Sequence, residues 1–171
     1  MSEAAGTGRG IDRSPARLGR WASTGAGLVA LVSVGLYSWP ALVAGGLGLS
    51  LLLVGLVRGT GEFVDGGAFV LVAGGVLAGA GGAPVLPVLV GVAFAVLAWD
   101  AGWNAIGVGA QLGREADTVR LEAAHLAAST AVGVTVLGVG FSLYRIGTGG
   151  KPIAVLLLLV IAAVLLVEAL S

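Results

Sequence analysis

Residues 22–57 read ASTGAGLVALVSVGLYSWPALVAGGLGLSLLLVGLV, a stretch without a single charged side chain. As one helix it would be ~54 Å long, whereas the hydrocarbon of a bilayer is only ~30 Å thick. Ser38-Trp39-Pro40 lies near its middle, and the residue before a proline is pushed out of helical geometry. The stretch therefore predicts two membrane-spanning helices joined by a very tight turn.

The composition of the whole chain agrees with an integral membrane protein. Of 171 residues, 57% are hydrophobic and only 11% are charged, and the mean hydropathy is +1.05. Soluble domains carry roughly 25% charged residues, so the surface of this chain is unsuited to water. The formal net charge is zero, so no electrostatic field would attract nucleic acid. The chain also has no cysteine for disulfides, thiolate metal sites or a cysteine nucleophile.

The same length argument, applied to the rest of the chain, predicts further spans. Gly81-Gly82-Ala83-Pro84 divides a second long apolar stretch, and Pro152 is well placed as the first residue of a last helix. The predicted spans lie at about 21–38, 40–57, 67–82, 84–103, 123–144 and 152–169. The segment RGTGEFVDG, residues 58–66, is predicted to be a polar loop between the second and third spans. The expected fold class is an all-α integral membrane bundle of about six transmembrane helices with a cytosolic amphipathic segment.

The charges outside these spans indicate the orientation. Residues 1–20 contain four arginines and are expected to form a disordered cytosolic tail before the membrane domain, residues 21–171. With this tail inside, seven arginines lie in cytosolic segments, and only Arg145 and Lys151 lie outside. Cytoplasmic loops carry such an excess of Lys and Arg. We therefore expect a multi-pass protein of the cell membrane with both termini cytoplasmic.

The segment WDAGWNAIGVGAQLGREADTVRLEAAH, residues 99–125, is the one long polar stretch beyond the tail. Its two tryptophans suit the headgroup level, so residues 104–122 are expected to be cytosolic. Glycines at Ile106-Gly107-Val108-Gly109 permit a reversal of the chain there. Polar residues from position 111 onward mostly follow one another by three, four or seven, which predicts an amphipathic helix that leads into the fifth span.

Four ionisable residues near the predicted inner surface form a candidate polar cluster: Asp100, Glu122, His125 and Glu168. Ionisable groups at membrane depth usually mark function. Three roles stay open for His125: a structural side chain, a proton-coupled group, or a metal ligand together with Glu122. Glu168, near the C-terminus, has the alternative of extending to water. None of the four lies at mid-bilayer, where transporters usually place their substrate sites.

Motifs for chemistry are weak in this sequence. GVGAQLG, residues 107–113, has widely spaced glycines, but a dinucleotide fingerprint works only between a strand and a helix of a βαβ unit. A metal site needs clustered ligands, and a hydrolytic triad needs more than Ser129 one turn after His125. We therefore expect no enzyme activity, no cofactor and no metal.

Glycine accounts for 31 of the residues, and small residues let membrane helices approach closely. Gly75 and Gly79 form a GxxxG pattern in the third span, and Gly133, Ser129 and Thr130 give the fifth span a small face. These faces are expected to pack within the chain, with self-association into a homo-oligomer as the alternative.

The pattern W-D-x-G…N-A-I…G-x-Q-L-G-R-E-A-D-T…R-x-E…H, from Trp99 to His125, resembles a group of haloarchaeal multi-pass membrane proteins of unknown function. Members of that group are encoded near a MoxR-type ATPase and von Willebrand factor A proteins. The resemblance therefore implies an accessory role in the assembly of a membrane complex. It brings no catalytic residues to this chain. Nine acidic against nine basic residues depart from the acidic surface that a halophilic origin would imply.

Together these observations favour a structural or assembly subunit that lies in the lipid bilayer and docks a protein partner at the cytosolic face through residues 104–122. The candidate contact residues are Gln111, Arg114 and Glu115. The alternative is a small-solute or ion transporter that works as a monomer or as an oligomer. A transporter needs polar groups along a path, and the first, second, third and sixth spans offer almost none.

Overall fold

The computed structural model describes residues 14–112 and 118–147, and these ranges are all-α, without a strand. They contain five helices: α1 Arg17–Gly35, α2 Trp39–Arg58, α3 Gly61–Ala80, α4 Val85–Leu112 and α5 Val119–Gly147. Four of them, α2 to α5, are long and apolar enough to cross a membrane. The predicted sixth span, 152–169, and most of the predicted tail lie outside the described residues.

The first two helices separate at the Ser38-Trp39-Pro40 turn. Ser38 has extended backbone geometry, and its hydroxyl oxygen accepts a hydrogen bond from the Ala41 amide at 3.4 Å, while Pro40 lies in the first turn of α2. Serine before a helix and proline in the first turn are favourable because the first amides of a helix have no partner within it. α2 ends at Arg58, and the next residue, Gly59, caps it with a φ of 68°, a left-handed conformation that suits glycine.

Two predicted boundaries differ from the structure. α3 begins at Gly61, so most of the segment 58–66, predicted as a polar loop, is helical. The reversal predicted at Ile106-Gly107-Val108-Gly109 was wrong, because α4 continues without interruption to Leu112. Gly109 lies where α4 meets the segment before α1, and a β-carbon at that position would collide with Ser14. Gly109 therefore serves close packing, and neither Gly107 nor Gly109 breaks the helix.

The core of the bundle is built from small residues and leucines. α2 and α3 approach so closely that a β-carbon on Gly67 would lie 2.5 Å from the Leu52 amide nitrogen, and one on Gly48 would lie 2.8 Å from the Gly67 carbonyl oxygen. The GxxxG pair packs within the chain, since a β-carbon on Gly75 would lie 2.6 Å from Val92 of α4. Close backbone approach is the main source of cohesion between helices in lipid.

α4 is longer than one crossing of a bilayer requires. Its 28 residues make a rod ~42 Å long, about 12 Å more than the hydrocarbon of a bilayer. The last turns of α4 pack against the start of α1, where the Ala16 amide donates to the Ala105 carbonyl at 2.8 Å. Residues near Leu112 therefore extend beyond the level at which α1 begins.

We call this end of the bundle the arginine end. It is defined by the beginnings of α1, α3 and α5 and the ends of α2 and α4. Four described arginines lie there: Arg17, Arg20, Arg58 and Arg120.

Candidate functional site

Polar side chains connect the described helices α1, α3, α4 and α5 towards the arginine end. Among the described residues, the buried polar side chains are Ser23, Thr118 and Glu122. Ser23 of α1 donates a hydrogen bond to the Ala98 carbonyl of α4 at 2.6 Å. The candidate site therefore lies where α1, α3, α4 and α5 meet, and not in the middle of the bundle.

Glu122 links α5 to the beginning of α1. Its side chain is 2% exposed, and its Oε2 accepts a hydrogen bond from the Gly19 amide at 2.7 Å. Its Oε1 accepts from the Thr118 hydroxyl, also at 2.7 Å. Gly19 is the third residue of α1, and Ala16 before the helix provides no side-chain cap. The carboxylate thus supplies an acceptor that α1 lacks, at the helix end where the macrodipole favours negative charge.

The residue at position 19 also has to be small. A β-carbon on Gly19 would lie 2.9 Å from the Ala105 β-carbon and 3.2 Å from the Ala101 carbonyl oxygen. Any larger residue would push α1 away from α4. The close contact and the cap by Glu122 therefore meet at one turn of α1.

Asp100 and His125 form the second link, between α4 and α5. His125 Nε2 lies 2.9 Å from Asp100 Oδ2, and the two side chains are 36% and 35% exposed, respectively. The carboxylate can accept a hydrogen bond only from a ring nitrogen that carries a proton, so the contact favours the Nε2–H form and leaves Nδ1 of a neutral ring as an acceptor. The imidazole can keep this contact in both its neutral and its protonated form.

Asp65 forms the third link, between α3 and α4. The indole Nε1 atoms of Trp99 and Trp103 both donate to Asp65 Oδ1, at 2.7 and 2.6 Å. Gly61 lies against the Trp103 ring, so α3 has no side chain where the indole packs. We call Asp65, Trp99 and Trp103 the indole clamp. It fixes both rings across the α3–α4 interface at the end of the bundle.

One buried polar atom on α4 has no partner. Asn104 Nδ2 is inaccessible to solvent and makes no hydrogen bond in the described part of the chain. Asn104 follows Asp100 by four residues, so both lie on one face of α4. A buried amide without a hydrogen-bond partner destabilises the folded state by about 1–3 kcal/mol.

The structure describes three of the four residues of the predicted polar cluster. Asp100 and His125 are in contact, whereas the Glu122 carboxylate bonds to α1 and to Thr118. Glu168 lies outside the described residues, so the four-residue cluster stays a prediction. Of the docking residues, Gln111 is exposed in the last turn of α4, while Arg114 and Glu115 lie outside the described residues.

The structure adds one residue that the sequence analysis did not select. Asp65 was assigned to a loop, although it lies in the second turn of α3 and holds both tryptophans. A signal was available, because Trp99 and Trp103 are four residues apart and share a helix face. An antiparallel α3 would bring its first acidic residues to that same face.

A metal centre has no support in the described residues, where no group of three or more His, Asp or Glu side chains could hold an ion. The three links therefore act through hydrogen bonds and one carboxylate–imidazole contact. They hold α1, α3, α4 and α5 together at the arginine end.

The sequence was also compared with known proteins. The model of a family of unknown function, DUF7519, matches residues 13–167. The chain belongs to the DUF7519 family. No curated protein and no solved structure matches it. The DUF7519 assignment agrees with the predicted resemblance to an uncharacterised family, whereas a haloarchaeal origin stays a prediction.

Proposed function

We propose that this DUF7519 protein is a structural or assembly subunit of a membrane complex, and that its arginine end docks a protein partner. The membrane is the cell membrane, and the arginine end faces the cytosol, in accordance with the excess of arginine on that side. The proposal is supported chiefly by the exposed end of α4 and beginning of α5.

This surface combines apolar and polar side chains. Leu112 is 52% exposed, Val119 is 58% exposed and Leu121 is 55% exposed. Gln111 and Arg120 are exposed beside them. If Val85 lies at one hydrocarbon boundary, the other boundary falls ~20 residues later, before the last two turns of α4. Exposed apolar side chains beyond that boundary, with polar neighbours, are typical of a protein-binding surface.

The alternative, a small-solute or ion transporter, draws on the half-exposed Asp100–His125 pair. Ionisable pairs inside membranes often mark proton or ion pathways. The middle and opposite end of the described bundle supply no buried polar side chain that would continue such a path. The docking role is therefore the better-supported of the two.

Site-specific photo-crosslinking in native membranes tests the proposal. A photoreactive side chain at position 112 is expected to capture a defined protein, and the same group at Leu36, which is 79% exposed at the opposite end, serves as the matched control. Leu121→Arg should abolish the product from position 112, whereas Leu36→Arg should not. Equal products from both positions, or none from position 112, would refute the docking role.

Orientation has its own test, because the chain has no native cysteine. Leu112→Cys is expected to react with a membrane-impermeant thiol reagent only after the cells are lysed, and Leu36→Cys to react in intact cells. Labelling of position 112 in intact cells would place the arginine end outside and overturn the cytosolic assignment.

A further inference from the structure

A groove between α1 and α2 has the charged side chain of Arg20 at one end and apolar walls. It encloses about 190 Å³ and is lined by Arg20, Trp21 and Thr24 of α1 and Leu53, Leu56 and Val57 of α2. Leu53 is 37% exposed and Val57 is 75% exposed, so the α2 wall is open to the surroundings. The groove lies on a different side of the bundle from the indole clamp and the α4–α5 surface.

Arg20, at one end of the groove, has no acidic partner among the described residues. It is half-buried and forms no ion pair with any part of the chain that the structure describes. Thr24 does not compete for an anion, since its hydroxyl donates to the Arg20 carbonyl at 2.9 Å. A half-buried guanidinium without a carboxylate leaves its planar set of donors available for an external anion.

The position of Arg20 adds to this positive charge. It lies in the first turns of α1, which has no acidic residue of its own there. A helix carries partial positive charge at its N-terminus, so arginines at that end are placed unfavourably for the helix alone. The Glu122 carboxylate bonds to the Gly19 amide of the same turn, but it is not among the residues that line the groove. An anion at Arg20 would offset the repulsion.

We propose that this groove binds an anionic phospholipid, with the phosphate on the Arg20 guanidinium and an acyl chain along Leu53, Leu56 and Val57. The charge complementarity selects the anionic headgroup, because arginine binds phosphate through parallel hydrogen bonds. The apolar walls select a lipid over free phosphate. Trp21, 71% exposed at the groove mouth, is the kind of side chain that lies at the headgroup level.

Lipid retention by the purified full-length chain tests this site. The protein is exchanged into detergent containing phosphatidylglycerol or phosphatidylcholine, washed, and its bound lipid quantified by mass spectrometry. The wild type should retain phosphatidylglycerol in preference. Arg20→Gln is expected to lower that retention about fivefold or more, the loss associated with one arginine near a lipid surface.

Three variants make the result specific. Arg20→Lys keeps a charge and should retain more phosphatidylglycerol than Arg20→Gln. Leu53→Trp leaves Arg20 intact but fills the apolar wall, and it should also lower retention. Arg120→Gln removes an exposed arginine of α5 that does not line the groove. It should leave retention within about twofold of wild type, because an exposed charge outside the site contributes little.

Thermal melts of the same samples separate a binding defect from a folding defect. Phosphatidylglycerol should raise the Tm of the wild type and of Arg120→Gln, but not that of Leu53→Trp. Equal losses of retention in Arg20→Gln and Arg120→Gln would show general surface charge and overturn the site. Equal retention of the two lipids, or stabilisation by inorganic phosphate as large as that by phosphatidylglycerol, would overturn it too.

Discussion

The α2–α3 pair and α5 are attached to the bundle in different ways. In α3, 44% of the most apolar stretch of 18 residues is buried, and glycines let its backbone touch that of α2. In α5, only 6% of the corresponding stretch is buried within the described bundle. α5 is connected instead at its first turns, through Glu122 to α1 and through His125 to α4.

Helices of similar hydropathy can therefore be held in a bundle by different interactions. Lipid tails are as apolar as leucine side chains, so burial of apolar surface gives little preference for protein over lipid. Close backbone contact or interhelical hydrogen bonds must supply the preference. α2 and α3 rely on the first, whereas α5 relies on the second.

The largest expected effect comes from the glycine contact. Gly67→Ala places a β-carbon 2.5 Å from the Leu52 amide nitrogen, so the α2–α3 backbones must move apart. Overpacking of this kind costs about 1–3 kcal/mol of unfolding free energy. The control is its neighbour Gly66, where a β-carbon would meet nothing within 4 Å. Unfolding by denaturing detergent measures both, and equal stabilities of the two variants would contradict the role of the contact.

Removal of the α5–α1 hydrogen bond should have the next largest effect. Glu122→Ala leaves the Gly19 amide without an acceptor and is expected to destabilise the protein by about 2 kcal/mol. Glu122→Gln keeps an acceptor and should lose less. Hydrogen exchange provides the specific readout, because the Gly19 amide should exchange faster in Glu122→Ala only. The control is Glu62→Ala, which removes an exposed acidic side chain from the first turn of α3. Unchanged exchange of the Gly19 amide in Glu122→Ala would contradict the proposed cap.

The indole clamp predicts a smaller effect with a spectroscopic signature. Asp65→Ala removes the acceptor of two exposed hydrogen bonds and should cost about 1 kcal/mol. Tryptophan fluorescence should change because both indoles lose their carboxylate partner. Asp65→Asn keeps one acceptor oxygen and should stay closer to wild type. Identical spectra for Asp65→Ala and wild type would mean that the clamp does not hold the rings.

The smallest effect is expected at the Asp100–His125 pair. Both side chains are about one-third exposed, so solvent screens the contact and the coupling energy should be only about 0.5–1 kcal/mol. A double-mutant cycle with Asp100→Asn and His125→Gln measures that coupling in the unfolding free energy. A coupling of zero would leave α5 attached by Glu122 alone, whereas a coupling larger than that of Glu122 would reverse the order proposed for the two links.

Much of the fold follows from patterns that act locally. The uncharged run 22–57 with Ser38-Trp39-Pro40 predicts two helices, because hydropathy and a missing amide donor act within a few residues. The glycines were harder to interpret. Gly107 and Gly109 permit a reversal, yet α4 continues through both. Whether a glycine breaks a helix or admits a neighbour depends on what lies opposite, which here includes Ser14 and Pro15.

The site was predictable only in part, for a related reason. Spacing along one helix placed the polar residues of 99–125 at one end, but it carried no information on partners from other helices. Asp65 is 34 residues from Trp99, and Glu122 is 103 residues from Gly19. The cap by Glu122 and the indole clamp therefore became visible only when the helices were assembled.

The amino-acid sequence was sufficient to predict an all-α protein for an apolar solvent and the turn between its first two helices. Those properties follow from side-chain transfer energies and local backbone geometry, which need no distant partner. The tertiary structure was needed to show which glycines make close contacts, which carboxylate caps α1 and which arginine lines a groove without an acidic partner among the described residues. Each of these depends on atoms that are remote in sequence and adjacent only after the helices have packed.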